Sequence, residues 1–296
     1  MINENRITAF DSWIELLRNK LIELHPHLID IFEIYSIEAK YGRLYIDADL
    51  SKLSPGSEVL EVGAGCMLLS CQLKREGYDV TALEPDGEGF THFTQLREFI
   101  NGQAALNGHS PKLIRLPAER LDLSNKFDFA FSIFVMEHVD DIAMSLLRIT
   151  TSLKPGSTYR FITPNYTFPY EPHFNIPTFG TKKLTESLMG WKIFTDKRFP
   201  NPRGVWSSLN WITVKKLTNA ANRNALKIQF NKSILYDTFL RVIYDEKFSS
   251  RRSNLIVILV KIVYKLKITR LLKFIPIQFS PIIDCTVYRK MNNIKV

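Results

Sequence analysis

The chain has 296 residues, of which 45% are hydrophobic, 12% aromatic and 23% charged; that composition excludes a disordered or collagen-like polymer and suffices for a large core. The net charge of +9 is unevenly placed: residues 1–240 carry 27 basic and 27 acidic side chains, and residues 241–296 carry 12 and 3. Such asymmetry points to an anionic partner for the tail, a membrane surface or nucleic acid, with a solvated helical face as the alternative.

The opening MINENRITAF has no apolar leader core, and no uncharged apolar stretch in the chain is long enough to span a membrane, so a cytoplasmic protein is expected. Ile7, Phe10, Ile14, Leu17, Leu21 and Leu24 recur at helical spacing, with Thr8 as the expected cap. Pro26 breaks this helix, and Leu28, Ile31, Phe32 and Tyr35 begin a second. After the Pro55-Gly56 turn, strands and helices alternate. Strands are expected at 58–62, 79–83, 112–116, 127–134 and 158–163, and helices at 67–75, 89–106 and 138–153. This alternation predicts a doubly wound, parallel α/β sheet.

From Pro164 to Pro202 six prolines punctuate an aromatic-rich segment that reads as an irregular lid of about 45 residues. A helix at 209–221, a strand at 226–231, a mostly helical stretch at 233–280 and a strand at 285–289 complete the pattern. The resulting division is 1–54 (helical segment), 55–165 (cofactor-binding core), 166–208 (insertion) and 209–296 (completion of the core). Cys66, Cys71 and Cys285 lack paired spacing, which argues against a disulfide scaffold and for a reducing compartment.

The sharpest motif is Val59-Leu60-Glu61-Val62-Gly63-Ala64-Gly65-Cys66, a strand that ends in a glycine turn and enters a helix. Glycines there let a nucleotide-like ligand approach the backbone, and Glu84, at the end of the next strand, can accept both hydrogen bonds of a ribose diol. Leu68 occupies the place of the third glycine of a dinucleotide fingerprint, and no P-loop Gly-Lys-Ser/Thr follows. The ExGxG pattern instead resembles motif I of class I S-adenosylmethionine-dependent methyltransferases. Leu116-Pro117-Ala118-Glu119-Arg120-Leu121, Phe127-Asp128 through Val135-Met136-Glu137-His138-Val139, Leu153-Lys154-Pro155-Gly156 and Thr163-Pro164-Asn165 resemble, in order, later segments of that family.

The resemblance implies a Rossmann-like sheet of seven strands, the last antiparallel, and S-adenosyl-L-methionine as cofactor with S-adenosyl-L-homocysteine as product. It implies cofactor contacts from Glu61, Gly63, Ala64, Gly65, Glu84, Pro85, Ala118, Glu119, Ser132 and Ile133. The Glu-His-Val and Thr-Pro-Asn segments resemble ubiquinone-biosynthesis O-methyltransferases and bacterial surface-glycan methyltransferases. In the quinone enzymes an acidic residue three positions before the Glu-His pair helps to hold a metal; Phe134 stands there in this chain, so no metal is expected.

O-methylation of a small or carrier-linked acceptor, a sugar or glycan intermediate, is the favoured reaction; a quinone-like or lipid acceptor is the alternative, and a non-catalytic cofactor-binding protein is a further one. An oxygen nucleophile benefits from a general base, and histidine is the natural residue. His173, beside Glu171 on the insertion, is the first candidate and His138 the second. Tyr166, Tyr170, Phe174, Trp191 and Trp206 are candidates for an acceptor pocket. The basic, apolar tail suits the inner face of a membrane or a second subunit; nucleic acid is disfavoured because the rest of the chain is neutral.

Overall fold

The computed structural model describes residues 4–85, 91–244, 249 and 254–289. Seven strands form one sheet: β1 (Glu58–Val62), β2 (Asp79–Leu83), β3 (Lys112–Ile114), β4 (Phe127–Ile133), β5 (Leu153–Pro164), β8 (Leu226–Phe230) and β9 (Ile282–Arg289). Their order is β3-β2-β1-β4-β5-β9-β8, and β9 alone runs antiparallel to its neighbours. The strand pleat sorts the core into two layers. Val59, Val80, Ala82, Phe129 and Phe131 face α1 (Glu4–Leu24), α2 (Ile29–Tyr45), α4 (Leu68–Arg75) and α5 (Thr91–Ala105). Leu60, Val62, Ala130, Tyr159 and Phe161 face the other way, toward α6 (Ile142–Ser152) and α9 (Val214–Arg223). This is the doubly wound seven-stranded sheet expected from the sequence.

Several boundaries differ, for local reasons. Thr8 lies inside α1, which already runs at Glu4, so it is not a cap. The helix expected from His138 starts at Ile142, because the Asp141 carboxylate accepts the N–H groups of Ala143 and Met144 at 2.8 and 3.0 Å and caps it there. The helix expected at 209–221 likewise starts at Val214, capped by Thr213. The start of the helix expected at 89–106 falls partly outside the described residues.

The supposedly irregular insertion is ordered. A two-stranded ribbon pairs β6 (Tyr170–Glu171) with β7 (Ile176–Pro177), followed by α7 (Lys182–Phe194) and α8 (Pro202–Ser208), capped by Thr181 and Asn201. Pro202 opens α8, because proline's missing N–H costs nothing at a helix's first position. Beyond β8 come α10 (Ile234–Tyr244), α11 (Asn254–Lys265) and 3-10 turns at Ile268–Phe274 and Ile277–Phe279. The N-terminal helices are locked to the far side of the sheet by Arg160. Its guanidinium bonds Asp49, in the short helix α3 (Asp47–Leu50), at 2.7 Å and buried Asp284 on β9 at 3.1 Å. Cys66, Cys71 and Cys285 are buried free thiols, and burial pushes Cys66 up to about 12.

Candidate active site

Strand β1 is flanked by β2 on one side and β4 on the other, so the strand order reverses between β1 and β4. In open α/β sheets the crevice at the carboxyl ends of such a pair is where ligands bind. The chain leaves β1 through backbone conformations with positive φ: Gly63 at 71°, Gly65 at 50° and Met67 at 63°. Gly63 donates its N–H to Leu83 O at 2.7 Å, and Gly65 donates to Glu84 Oε2 at 2.9 Å, which fixes this carboxylate at the end of β2. Met67 keeps the left-handed backbone with its side chain fully buried. Glu61 lies buried under the loop and accepts the Ser70 hydroxyl; burial pushes its pKa up to about 8.

Gly63 has no room for a side chain, since a Cβ would lie 2.3 Å from Val135 Cγ2. Gly63→Ala therefore combines backbone strain of ~1–2 kcal/mol with overpacking of ~1–3 kcal/mol. Gly56→Ala, at φ 80° in open space, incurs only the strain. Thermal melts and cofactor titration should show the larger loss of stability, and a loss of binding, for Gly63→Ala alone. Equal behaviour of the two variants would remove the steric argument.

The remaining expected cofactor residues divide. Ala64 is buried in the loop, and Pro85 is exposed just beyond Glu84. Ala118 is buried in a 3-10 turn, and Glu119 beside it accepts the Asp141 N–H at 3.1 Å. Ser132 lies near the end of β4 with its hydroxyl fully buried and bonded to Tyr159 Oη at 2.7 Å. Ile133 packs toward Gly42 of α2.

The second part of the site abuts the first through Val135. Phe134, at φ 54°, turns the chain out of β4, and the following segment is clamped by Asn210. The Asn210 amide donates to the carbonyls of Met136 and Val139 at 2.7 and 2.8 Å, and its N–H donates to Glu137 O at 2.8 Å. This holds His138 in edge-to-face contact with His173, ring centroids 5.3 Å apart. His173 Nδ1 meets Glu171 Oε1 at 2.6 Å, and the fully buried Glu171 also accepts the N–H groups of His173 and Phe174 and the Tyr166 hydroxyl. With Nδ1–H given to this carboxylate, Nε2 carries the reactive lone pair. The Ser208 hydroxyl donates its single proton to Val205 O at 2.9 Å, so it accepts His138 Nδ1–H at 2.9 Å and leaves the His138 Nε2 lone pair open too.

The electrostatics separate the two imidazoles. Burial, then the charge of His173, drives His138 down to about 3, so it is neutral at physiological pH. Burial also pulls on His173, but the charge and hydrogen bond of Glu171, with Glu137 adding, hold it above its ordinary 6.5. Glu137 is fully buried, accepts the Thr163 hydroxyl at 2.8 Å, and is pushed by burial up to about 7. Its Oε1 has no hydrogen bond.

The expected aromatic pocket is corrected by burial. Tyr166, Phe174 and Trp206 are core residues: Tyr166 stacks on Trp211 at 4.3 Å, and Phe174 packs on Phe199 and Trp206. They support the Glu171–His173 pair from beneath. Tyr170 bonds Asn175 near the surface, and Trp191 is 72% exposed on α7, so neither joins them. Sequence reasoning missed Glu137, Ser208 and Asn210 as site residues. Tyr41 of α2 stacks on Phe134 and Gly42 packs against Ile133, so α2 borders the end of β4.

A family model described as a methyltransferase domain matches residues 39–228, more than half of the chain. The chain belongs to this methyltransferase family. With the motif I loop and Glu84 in place at the switch point, it is an S-adenosylmethionine-dependent methyltransferase. An uncharacterised protein of Mycobacterium tuberculosis (strain ATCC 25618 / H37Rv) is 40% identical over 290 residues, 97% of this chain and 98% of its own length. A ubiquinone biosynthesis O-methyltransferase of Paramagnetospirillum magneticum is 31% identical over 129 residues, 44% of this chain and 48% of that protein. The crystal structure of an S-adenosylmethionine-dependent methyltransferase from Mesorhizobium loti shares the fold, with a TM-score of 0.50 at 14% identity over 82% of this chain and 96% of that one.

The methyltransferase also brings together donors suited to a divalent cation. One ligand atom each of Glu137, His138 and His173 lies within 4.8 Å of the others. An unbonded carboxylate oxygen and two imidazoles steadied at Nδ1 fit such an ion, which would supply Lewis acidity at an acceptor oxygen. The expectation of no metal rested on Phe134 and did not count His173. A cleft of about 1240 Å³ lies among Asp128, Lys154, Arg160 and Arg289 and includes none of these residues.

Proposed function

We propose that this methyltransferase O-methylates a hydroxyl of a sugar or glycan intermediate, free or carrier-linked, with His173 as general base. The observation that carries the reading is the 2.6 Å contact between His173 Nδ1 and buried Glu171, which orients Nε2 beside His138. The cofactor supplies a methyl group on a positively charged sulfur. His173 Nε2 takes the hydroxyl proton as the acceptor oxygen bonds to that carbon, and the C–S electron pair stays with sulfur. Glu171 steadies the imidazolium that forms. Glu137 Oε1 and His138 Nε2 are hydrogen-bonding groups without a fixed partner at these atoms in the site just described, and a polyol offers hydroxyls to both. A flat quinol ring engages fewer of them.

A base must be unprotonated, so kcat/KM should rise with pH through the raised pKa of His173, with its inflection above 6.5. Glu171→Gln removes the charge that raises it, so the inflection should move to lower pH while cofactor binding persists. Transfer of radiolabelled methyl to acceptor sugars across pH, with and without a chelator, is the measurement. An unmoved inflection in the variant would overturn the acid–base assignment. Loss of activity on chelation, restored by a divalent cation, would assign acceptor activation to a metal on Glu137, His138 and His173.

A further inference from the structure

The segment between β8 and β9 presents an apolar surface with nothing packed over it among the described residues. From Asn254 to Phe279 the sequence holds five cations, Lys261, Lys265, Lys267, Arg270 and Lys273, and no acidic residue. Ten of the large apolar side chains between 258 and 279 are exposed, including Ile258, Leu259, Ile262, Leu266, Leu271 and Phe274, the last at 82%. Along α11 and the turn that follows it, Ile258, Leu259, Ile262 and Leu266 fall within an arc of about 100°, bordered on one side by Lys261 and Lys265. Val260, on the opposite side, is buried against the protein. An exposed apolar patch of this extent marks an interaction surface.

We infer that this face docks on an anionic lipid bilayer, with the apolar side chains in the interfacial layer and the lysines among the headgroups. The charge pattern decides the occupant. A second copy of the same face would set cation against cation, since the segment from Asn254 to Phe279 supplies no acidic residue, and that repulsion opposes a self-pair. An anionic headgroup layer complements the lysines, whose stems can extend along the apolar surface to reach it. No helix among the described residues is long and apolar enough to cross a membrane, so the face rests on the surface.

The patch is tied to the end of the sheet that carries the acid–base cluster. The Asn165 amide donates to the carbonyls of Gln278 and Ser280 at 3.0 and 2.8 Å, two residues beyond Thr163, whose hydroxyl bonds Glu137. A docked chain therefore keeps the acceptor site close to the bilayer, within reach of a lipid-carried acceptor; docking itself does not depend on which acceptor is methylated.

Cosedimentation of the full chain with vesicles of phosphatidylcholine alone, or of phosphatidylcholine and phosphatidylglycerol in equal parts, tests this. Binding is expected to the anionic vesicles at low ionic strength and to fall as salt rises. The combined variant Lys261→Gln, Lys265→Gln, Lys267→Gln, Arg270→Gln and Lys273→Gln should bind more than ~10²-fold more weakly, at up to about fivefold for each cation. Leu271→Ser and Phe274→Ser, at exposed positions, should each weaken partitioning about tenfold with charge unchanged. All variants should bind cofactor as the wild type does, which controls for folding. Wild-type protein that ignores anionic vesicles at low salt would overturn the inference. So would a dimer, measured by light scattering, that Phe274→Ser dissociates, since it would assign the face to a second copy.

Discussion

His173→Ala is expected to lower methyl-transfer turnover by ~10²–10⁴-fold, the range for removal of a positioned general base, with affinity for S-adenosyl-L-methionine unchanged. The separation follows from where His173 is held. Its ring is fixed by Glu171 on the β6–β7 ribbon and faces His138, whereas the motif I loop is held by Leu83 and Glu84 at the end of β2. The two halves meet through Gly63 and Val135, and the alanine variant leaves that contact intact. His138→Ala should cost less, because burial opposes protonation of its imidazole and no carboxylate pairs with it to steady the charge. Steady-state kinetics beside calorimetric titration of the cofactor measure both quantities. Full turnover in His173→Ala would leave positioning alone as the source of rate, and a parallel loss of cofactor affinity would place His173 in the wrong half of the site.

Glu84→Ala should weaken cofactor binding at least tenfold. Two charge-assisted hydrogen bonds to a ribose diol are worth about 1.5–3 kcal/mol each, and tenfold needs only about 1.4 kcal/mol. The Gly65 N–H already holds Oε2, so the carboxylate is oriented before any ligand arrives. Glu84 is only half-buried, so circular dichroism should show an intact fold in the variant. Wild-type affinity would remove this carboxylate from the cofactor site.

The α/β core was legible because its signals are local. Strands β1, β2, β3 and β5 end at or just before a glycine or proline turn, β4 is a mostly apolar run, and the ExGxG loop with Glu84 sits at the crossover from β1 to β2. The errors have local causes as well. His138 read as a helix start because apolar spacing continues across it, yet Asp141 is the stronger cap. The segment from 164 to 208 read as irregular because its prolines read as breaks, although Pro202 opens a helix and Pro177 ends a ribbon.

The sheet, the cofactor loop and the family could be read from residue order alone, since periodicity, turn residues and a motif within a single crossover are properties of neighbouring residues. Which histidine has a carboxylate partner, which aromatics are core and which residues from other elements complete the site follow from long-range packing. Tyr166, Phe174 and Trp206 have the composition of a binding pocket, but packing against Trp211 and Phe199 buries them. His138, His173, Ser208 and Asn210 are brought together where the ribbon and α8 fold over the carboxyl ends of β4 and β5. That convergence depends on long-range packing across the end of the sheet, which no spacing along the chain encodes.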